Sequence, residues 1–155
     1  MSAERIVAAV LGSGSWGTTF AAVLADAGCE VRLWGRDAEV AEQVNTSRRN
    51  EKRLPGIDLP EGIRATTDAA EALAGAGLVV VAVPSQVARE TLTELRPHVA
   101  PDAVAVSLMK GVELSTDRRM SEVVAESLGL PPERVAVVSG PNLAREIAHR
   151  QPTAT

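Results

Sequence analysis

The sequence predicts an α/β domain: a doubly wound, mainly parallel sheet with helices on both faces. Three observations lead there. Short Val-rich runs alternate with amphipathic segments along the chain, the pattern of repeated βαβ units. Runs such as residues 78–83 are continuously apolar rather than alternating, as expected where both faces of a sheet are covered. Aromatic residues make up only 2% of the chain, one Phe and two Trp with no Tyr, so the core has to be built from Ala, Val, Leu and Ile.

Taken in order, strands are predicted over residues 5–11, 30–34, 78–84, 103–108 and 134–139, each bounded by Gly, Pro or polar residues. Helices fall between them. Residues 17–27 set Phe20, Val23, Leu24 and Ala27 at three- and four-residue spacings, with Gly28 placed to close the helix. Residues 37–44 form a second helix with Asp37 as its N-cap. A third covers 67–74, and a fourth covers 85–95 and is stopped by Pro97. The last covers 116–128 and closes at Gly129, with Asp117, Glu122 and Glu126 on its polar positions and Arg118-Arg119 on a solvated face. Residues 46–64 differ: five basic and three acidic side chains, Leu-Pro-Gly, Leu-Pro and no clean periodicity. They read as a loop-rich insertion with one more strand near 62–65.

Composition narrows the function. The 155 residues carry 20 acidic and 16 basic side chains, a net charge of −4, with a pI near 5.2. That balance argues against general nucleic-acid binding, which depends on neutralising phosphates. One cysteine, Cys29, excludes an internal disulfide framework and a multi-Cys zinc site, and no metal is expected. The longest apolar runs, six residues as at 78–83, are too short to span a bilayer. No basic segment followed by an apolar one opens the chain, so no secretory signal is expected. A reduced, soluble, cytoplasmic domain is expected.

Gly12-Ser13-Gly14-Ser15-Trp16-Gly17 follows the first strand and opens the first helix. In that context the spacing is a dinucleotide-binding fingerprint of Rossmann type. Gly12 permits the tight turn, Gly14 lets a pyrophosphate approach the backbone, and Gly17 allows helix and strand to pack closely. The helix N-terminus offers free N–H groups to the phosphates. About 20 residues on, NAD sites place an acidic residue against the ribose. Here Gly35 and Arg36 follow the second strand, so there is no carboxylate to repel a 2′-phosphate and a guanidinium to bind one. NADP, or dual use with NAD, is favoured; the alternative makes Arg36 a solvated surface residue. Arg53, in the basic loop, borders the adenosine end by the same reading. His98 and His149 lack partners at catalytic spacing, Trp34 reads as core, and Trp16 reads as ligand-facing.

Two further segments carry more specific information: Ser107-Leu108-Met109-Lys110-Gly111-Val112-Glu113, and Ser139-Gly140-Pro141-Asn142-Leu143-Ala144-Arg145-Glu146-Ile147-Ala148, each leaving a strand. With the glycine loop and Val83-Pro84-Ser85-Gln86, they closely resemble the bacterial NAD(P)-dependent glycerol-3-phosphate dehydrogenases, in order and spacing, from about Ile6 to the last residue. The resemblance implies interconversion of dihydroxyacetone phosphate and sn-glycerol 3-phosphate by hydride transfer, feeding phospholipid synthesis. It implies cofactor contacts from Ser15, Trp16, Arg36 and Ala144, and a substrate side formed by Gly140 and Asn142. Lys110 is implied to serve both. Many bacterial members carry Ser or Thr at the position of Asn142, and eukaryotic relatives carry Asn; its amide can donate as a hydroxyl would.

Residue chemistry points the same way. Lys110 and Asn142 lie just past strand ends, where open α/β sheets bind ligands, and an ammonium there stabilises the charge of a carbonyl accepting hydride. Gly140-Pro141 also reads as a plain strand-to-helix turn, with Asn142 capping the next helix. The resemblance places the general-base lysine and the phosphate grip in a C-terminal helical domain. The chain is therefore expected to be an N-terminal domain, residues 1–155, that binds cofactor without turnover and leaves apolar surface near Lys110 and residues 141–147 uncovered. A homo-oligomer of the full-length enzyme is left open. Alternatives are another two-domain reductase, of hydroxyacid dehydrogenase or ketopantoate type, and a standalone dinucleotide-sensing module.

Overall fold

The computed structural model describes residues 5–155. Six strands form one sheet: β1 (Val7–Leu11), β2 (Glu30–Trp34), β3 (Ile63–Thr66), β4 (Leu78–Val81), β5 (Val104–Ser107) and β6 (Val135–Val137). Their order is β3-β2-β1-β4-β5-β6, and every neighbouring pair is parallel. The helices are α1 (Ser15–Asp26), α2 (Ala38–Ser47), α3 (Ala69–Leu73), α4 (Ala88–Leu95), α5 (Met120–Leu128) and α6 (Ala144–Ala148). No helix among the described residues is long and apolar enough to cross a membrane.

Strand side chains alternate between two cores. Ala9, Leu11, Val79 and Val81 face α3, α4 and α5, where Leu73, Leu92, Val123 and Val124 close the packing. Val10, Val31, Leu33 and Val80 face the other side, against Ala21, Val40 and Val44. Burial on both faces explains why β1 and β4 read as unbroken apolar runs. Trp34 belongs to the first core, as expected, with its indole N–H donating to the Thr67 carbonyl at 3.2 Å.

Several boundaries differ from the sequence reading. Residues 85–87 make a single tight turn before α4, and the last long helix begins at Met120 rather than 116. Asp117 adopts a left-handed backbone (φ 56°) outside that helix, and Val112 pairs with Arg119 across the turn. Arg118 and Arg119 therefore precede α5 instead of lying on its face; Arg119 is the N-cap, and Arg118 pairs with Glu126. The expected insertion is ordered and partly buried. α2 runs on to Ser47, and Leu54, Ile57 and Leu59 enter the second core before β3.

The chain order reverses between β1 and β4. β1, β2 and β3 build outward in one direction, and the connection to β4 returns to the other side of β1. Loops leaving adjacent strands there diverge to opposite faces, which opens a crevice at the carboxyl ends.

Candidate functional site: the cleft at the sheet's reversal point

A cleft of about 640 Å³ occupies that crevice. Gly12, Gly14, Ser15, Trp16 and Gly17 line one wall, Arg36 and Arg53 another, and Lys110 the far end. Eight of the residues singled out from the sequence thus share one cavity.

The glycine loop is shaped by contacts that leave no room for side chains. Gly12 has φ +119°, and a Cβ there would come within 2.6 Å of the Ala82 carbonyl oxygen. A Cβ on Gly17 would lie 1.9 Å from the Gly12 oxygen. Gly14 is the reverse case: a Cβ would meet nothing within 4 Å, so its bare backbone faces open space. Gly14 also caps α1 without a side-chain hydrogen bond, and no acidic residue lies in the first turn. The N–H groups there remain free for an anion. This cradle fits the pyrophosphate of a dinucleotide. Trp16 packs edge-on against Phe20, ring centres 5.6 Å apart, and still borders the cleft.

At the other wall, Arg36 leaves the end of β2 and reaches α4. Its Nη2 donates to Thr91 Oγ1 at 3.3 Å and lies 3.7 Å from Glu94. Both charged side chains are well exposed, so the ion pair holds the guanidinium only weakly. Asp37 caps α2, accepting from the N–H groups of Glu39 and Val40. Its carboxyl is held below the usual range, first by the hydrogen bond from Lys52 and then by those N–H groups.

The far end is organised around Lys110. Its Nζ donates to the Gly140 carbonyl at 3.0 Å, which joins the segments after β5 and β6. Gln86 donates to the Val112 carbonyl at 3.2 Å and accepts from the Leu114 N–H at 3.3 Å, gripping the loop that follows Lys110. Glu113 in the same loop accepts two bonds from Arg89 of α4, both at 2.8 Å. Those bonds, with a further one from Thr116, lower its carboxyl to about 2.

Gly140, Asn142 and Ala144 stand outside the cleft lining. Asn142 does not cap α6; Leu143 takes that position without a side-chain bond. The Asn142 carboxamide instead lies among residues 153–155. Turned so that its nitrogen donates to the Ala154 carbonyl (3.0 Å), its oxygen also accepts from the Gly140 N–H (3.3 Å). The Ala144 carbonyl accepts from Thr19 Oγ1 at 3.2 Å, and Ala144 lines a neighbouring hollow that shares Ser15 and Arg53 with the cleft. His98 and His149 are exposed.

Three groups have no signal in the sequence. Asn50 is buried and donates to the Ser13 carbonyl (3.0 Å) and to Thr18 Oγ1 (2.9 Å). The Arg89–Glu113 pair fastens the Lys110 loop, and Thr91 receives Arg36. Each pair is far apart in sequence, and a polar residue in a charged, aperiodic stretch announces nothing.

Residues 7–155 match the family model described as NAD-dependent glycerol-3-phosphate dehydrogenase N-terminus. The chain is 62% identical over 149 residues to the glycerol-3-phosphate dehydrogenase [NAD(P)+] of Streptomyces griseus, covering 96% of this chain and 44% of that protein. Among solved structures, glycerol-3-phosphate dehydrogenase from Coxiella burnetii superposes with TM-score 0.86 at 35% identity, over 96% of this chain and 45% of that one. The Saccharomyces cerevisiae enzyme gives TM-score 0.84 at 29% identity, over 94% and 45%. The chain thus spans somewhat under half the length of the relatives it matches. Sequence, fold and the shape of the cleft agree: the chain belongs to the NAD-dependent glycerol-3-phosphate dehydrogenase family, and what it contains is that family's N-terminal domain.

Proposed function

We propose that this chain provides the dinucleotide site, and part of the substrate site, of a cytoplasmic enzyme. That enzyme interconverts dihydroxyacetone phosphate and sn-glycerol 3-phosphate, with NADPH preferred over NADH. The observation that carries the reading is a single cleft with a bare-backbone cradle at its centre, Arg36 at one end and Lys110 at the other. A bound nicotinamide supplies the hydride for the substrate carbonyl carbon; the protein's own groups bind, orient and polarise.

The free N–H groups after Gly14 receive the pyrophosphate, with Ser15 and Trp16 beside them. Arg36 exchanges a weak contact with Glu94 for a 2′-phosphate, whose doubly charged oxygens suit a guanidinium better than one exposed carboxylate. Arg53, whose side chain forms no ion pair among the described residues, adds positive charge between the cleft and the hollow containing Ala144. Lys110 spends one hydrogen on Gly140 and keeps two for a substrate oxygen. There it stabilises the negative charge that grows as the carbonyl accepts hydride. Asn142 adds an amide donor once it exchanges the tail residues for substrate.

Fluorescence titration of Trp16 in Trp34→Phe protein, with NADPH and NADH in parallel, tests this. Saturable quenching is expected from both, tighter for NADPH, and Arg36→Ala weakens NADPH by roughly tenfold or more while sparing NADH, the loss of a hydrogen bond to a charged group. Absence of saturable binding by either nucleotide rejects the dinucleotide site.

A further inference from the structure

We propose that Asn50 is a positioning residue of the dinucleotide site, which holds the glycine loop in the shape that accepts a pyrophosphate. The inference rests on the reading of the cleft as a dinucleotide site. Asn50 lies between α2 and β3 and is only 1% exposed. Its Nδ2 donates to the Ser13 carbonyl at 3.0 Å and to Thr18 Oγ1 at 2.9 Å. The Thr18 hydroxyl passes its own hydrogen to the same Ser13 carbonyl at 3.3 Å. The Asn50 oxygen accepts from the Arg53 N–H at 3.2 Å. Both amide hydrogens and the oxygen are therefore used, and one carboxamide links the glycine loop, α1 and the Arg53 segment.

The arrangement does electrostatic work. Ser13 sits between Gly12 and Gly14, in a loop whose N–H groups must face an anion. A carbonyl oxygen turned into the cleft would repel a pyrophosphate. Two buried donors, Asn50 and Thr18, turn this one into the protein. Without them the Ser13 oxygen loses its buried partners, a costly state, and regains one only by rotating toward the water of the cleft. The bond to the Arg53 N–H also fixes where the Arg53 side chain leaves its loop, at the rim of the same cavity.

The test separates pyrophosphate binding from general stability, using NADPH by direct titration and ADP and 2′-AMP by competition. ADP carries the pyrophosphate alone, and 2′-AMP the 2′-phosphate alone. Asn50→Asp keeps the shape and the acceptor for Arg53 but sets an oxygen against the Ser13 oxygen. It is expected to weaken NADPH and ADP by roughly tenfold or more, as the loss of a buried hydrogen-bond partner predicts, and to leave 2′-AMP unchanged. Arg36→Ala is expected to give the opposite split. Asn50→Asp protein that melts earlier yet binds ADP as the parent does, or that loses ADP and 2′-AMP equally, overturns the proposal. If that variant gives no cooperative melt, Asn50→Ala decides: it removes the Asn50 donor to Ser13 without burying a charge, and undiminished ADP binding rejects the proposal. Parent protein that binds neither NADPH nor ADP fails the dinucleotide reading itself, a result distinct from a variant that matches a binding parent.

Discussion

A Cβ built on Gly35 would lie 2.1 Å from Ser13 Oγ and 2.8 Å from Ser13 Cβ. The end of β2 therefore touches the phosphate loop, and the absence of a side chain at position 35 has a steric cause besides the electrostatic one. Charge alone suggests that Gly35→Asp would convert an NADPH site into an NADH site, since a carboxylate there can meet the ribose hydroxyls and repel a 2′-phosphate. Sterics predict otherwise. The new side chain has to push Ser13 out of a loop already fixed by Asn50 and Thr18, an overpacking cost of about 1–3 kcal/mol. Gly35→Asp is expected to weaken both nucleotides, and Gly35→Asp with Ser13→Gly to recover NADH binding alone. Parallel titrations check this; a single Gly35→Asp change that yields tight NADH binding contradicts it.

The loop after β5 shows what one element owes to another. Gln86, just before α4, holds its backbone, and Arg89 in α4 holds Glu113, so the position of Lys110 depends on a helix about 20 residues earlier in the chain. Glu113 titrates near 2, against an ordinary value of 4.5, because of its bonds to Arg89 and then Thr116. A depressed carboxyl stabilises the fold above its unfolded pKa, and that contribution is lost as pH falls from about 4.5 toward 2. Glu113→Gln is expected to melt earlier at pH 7 and to lose that part of the acid dependence; melting curves across pH 2–7 read it. Elements of this kind mark the limit of what sequence shows. β2 was legible to the residue, because Val31, Leu33 and Trp34 form a short strand pattern that Gly35 stops. The glycine loop, Arg36 and Lys110 were legible because each follows directly from a strand end. The start of α5 was not, since Glu113 and the left-handed Asp117 hold residues 113–119 in a turn that helical periodicity does not register. Asn50 was hidden for a related reason: its partner Ser13 is 37 residues away, and local pattern has no access to such pairs.

At the scale of the molecule, the question is whether the two faces of the sheet behave as one unit. Trp34 belongs to the core beneath α3, α4 and α5, whereas Trp16 packs against the core on the opposite face. Neighbouring residues of the same strands feed both: Val79 and Val81 on one side, Val80 on the other, and likewise Leu11 and Val10. A strand cannot release one face and keep its register for the other, because each strand is hydrogen-bonded to its neighbours in a single sheet. Unfolding should therefore be one cooperative event, seen identically from either tryptophan. Trp16→Phe and Trp34→Phe each leave one reporter. Leu92→Ala, added to both, opens a cavity only in the core of Trp34 and should cost about 2–5 kcal/mol. Chemical denaturation is expected to show the same loss from Trp16, across the sheet, as from Trp34. A loss confined to the Trp34 signal would mean that the faces melt separately, and that the glycine loop and Arg36 keep their geometry independently of the helices beneath Lys110.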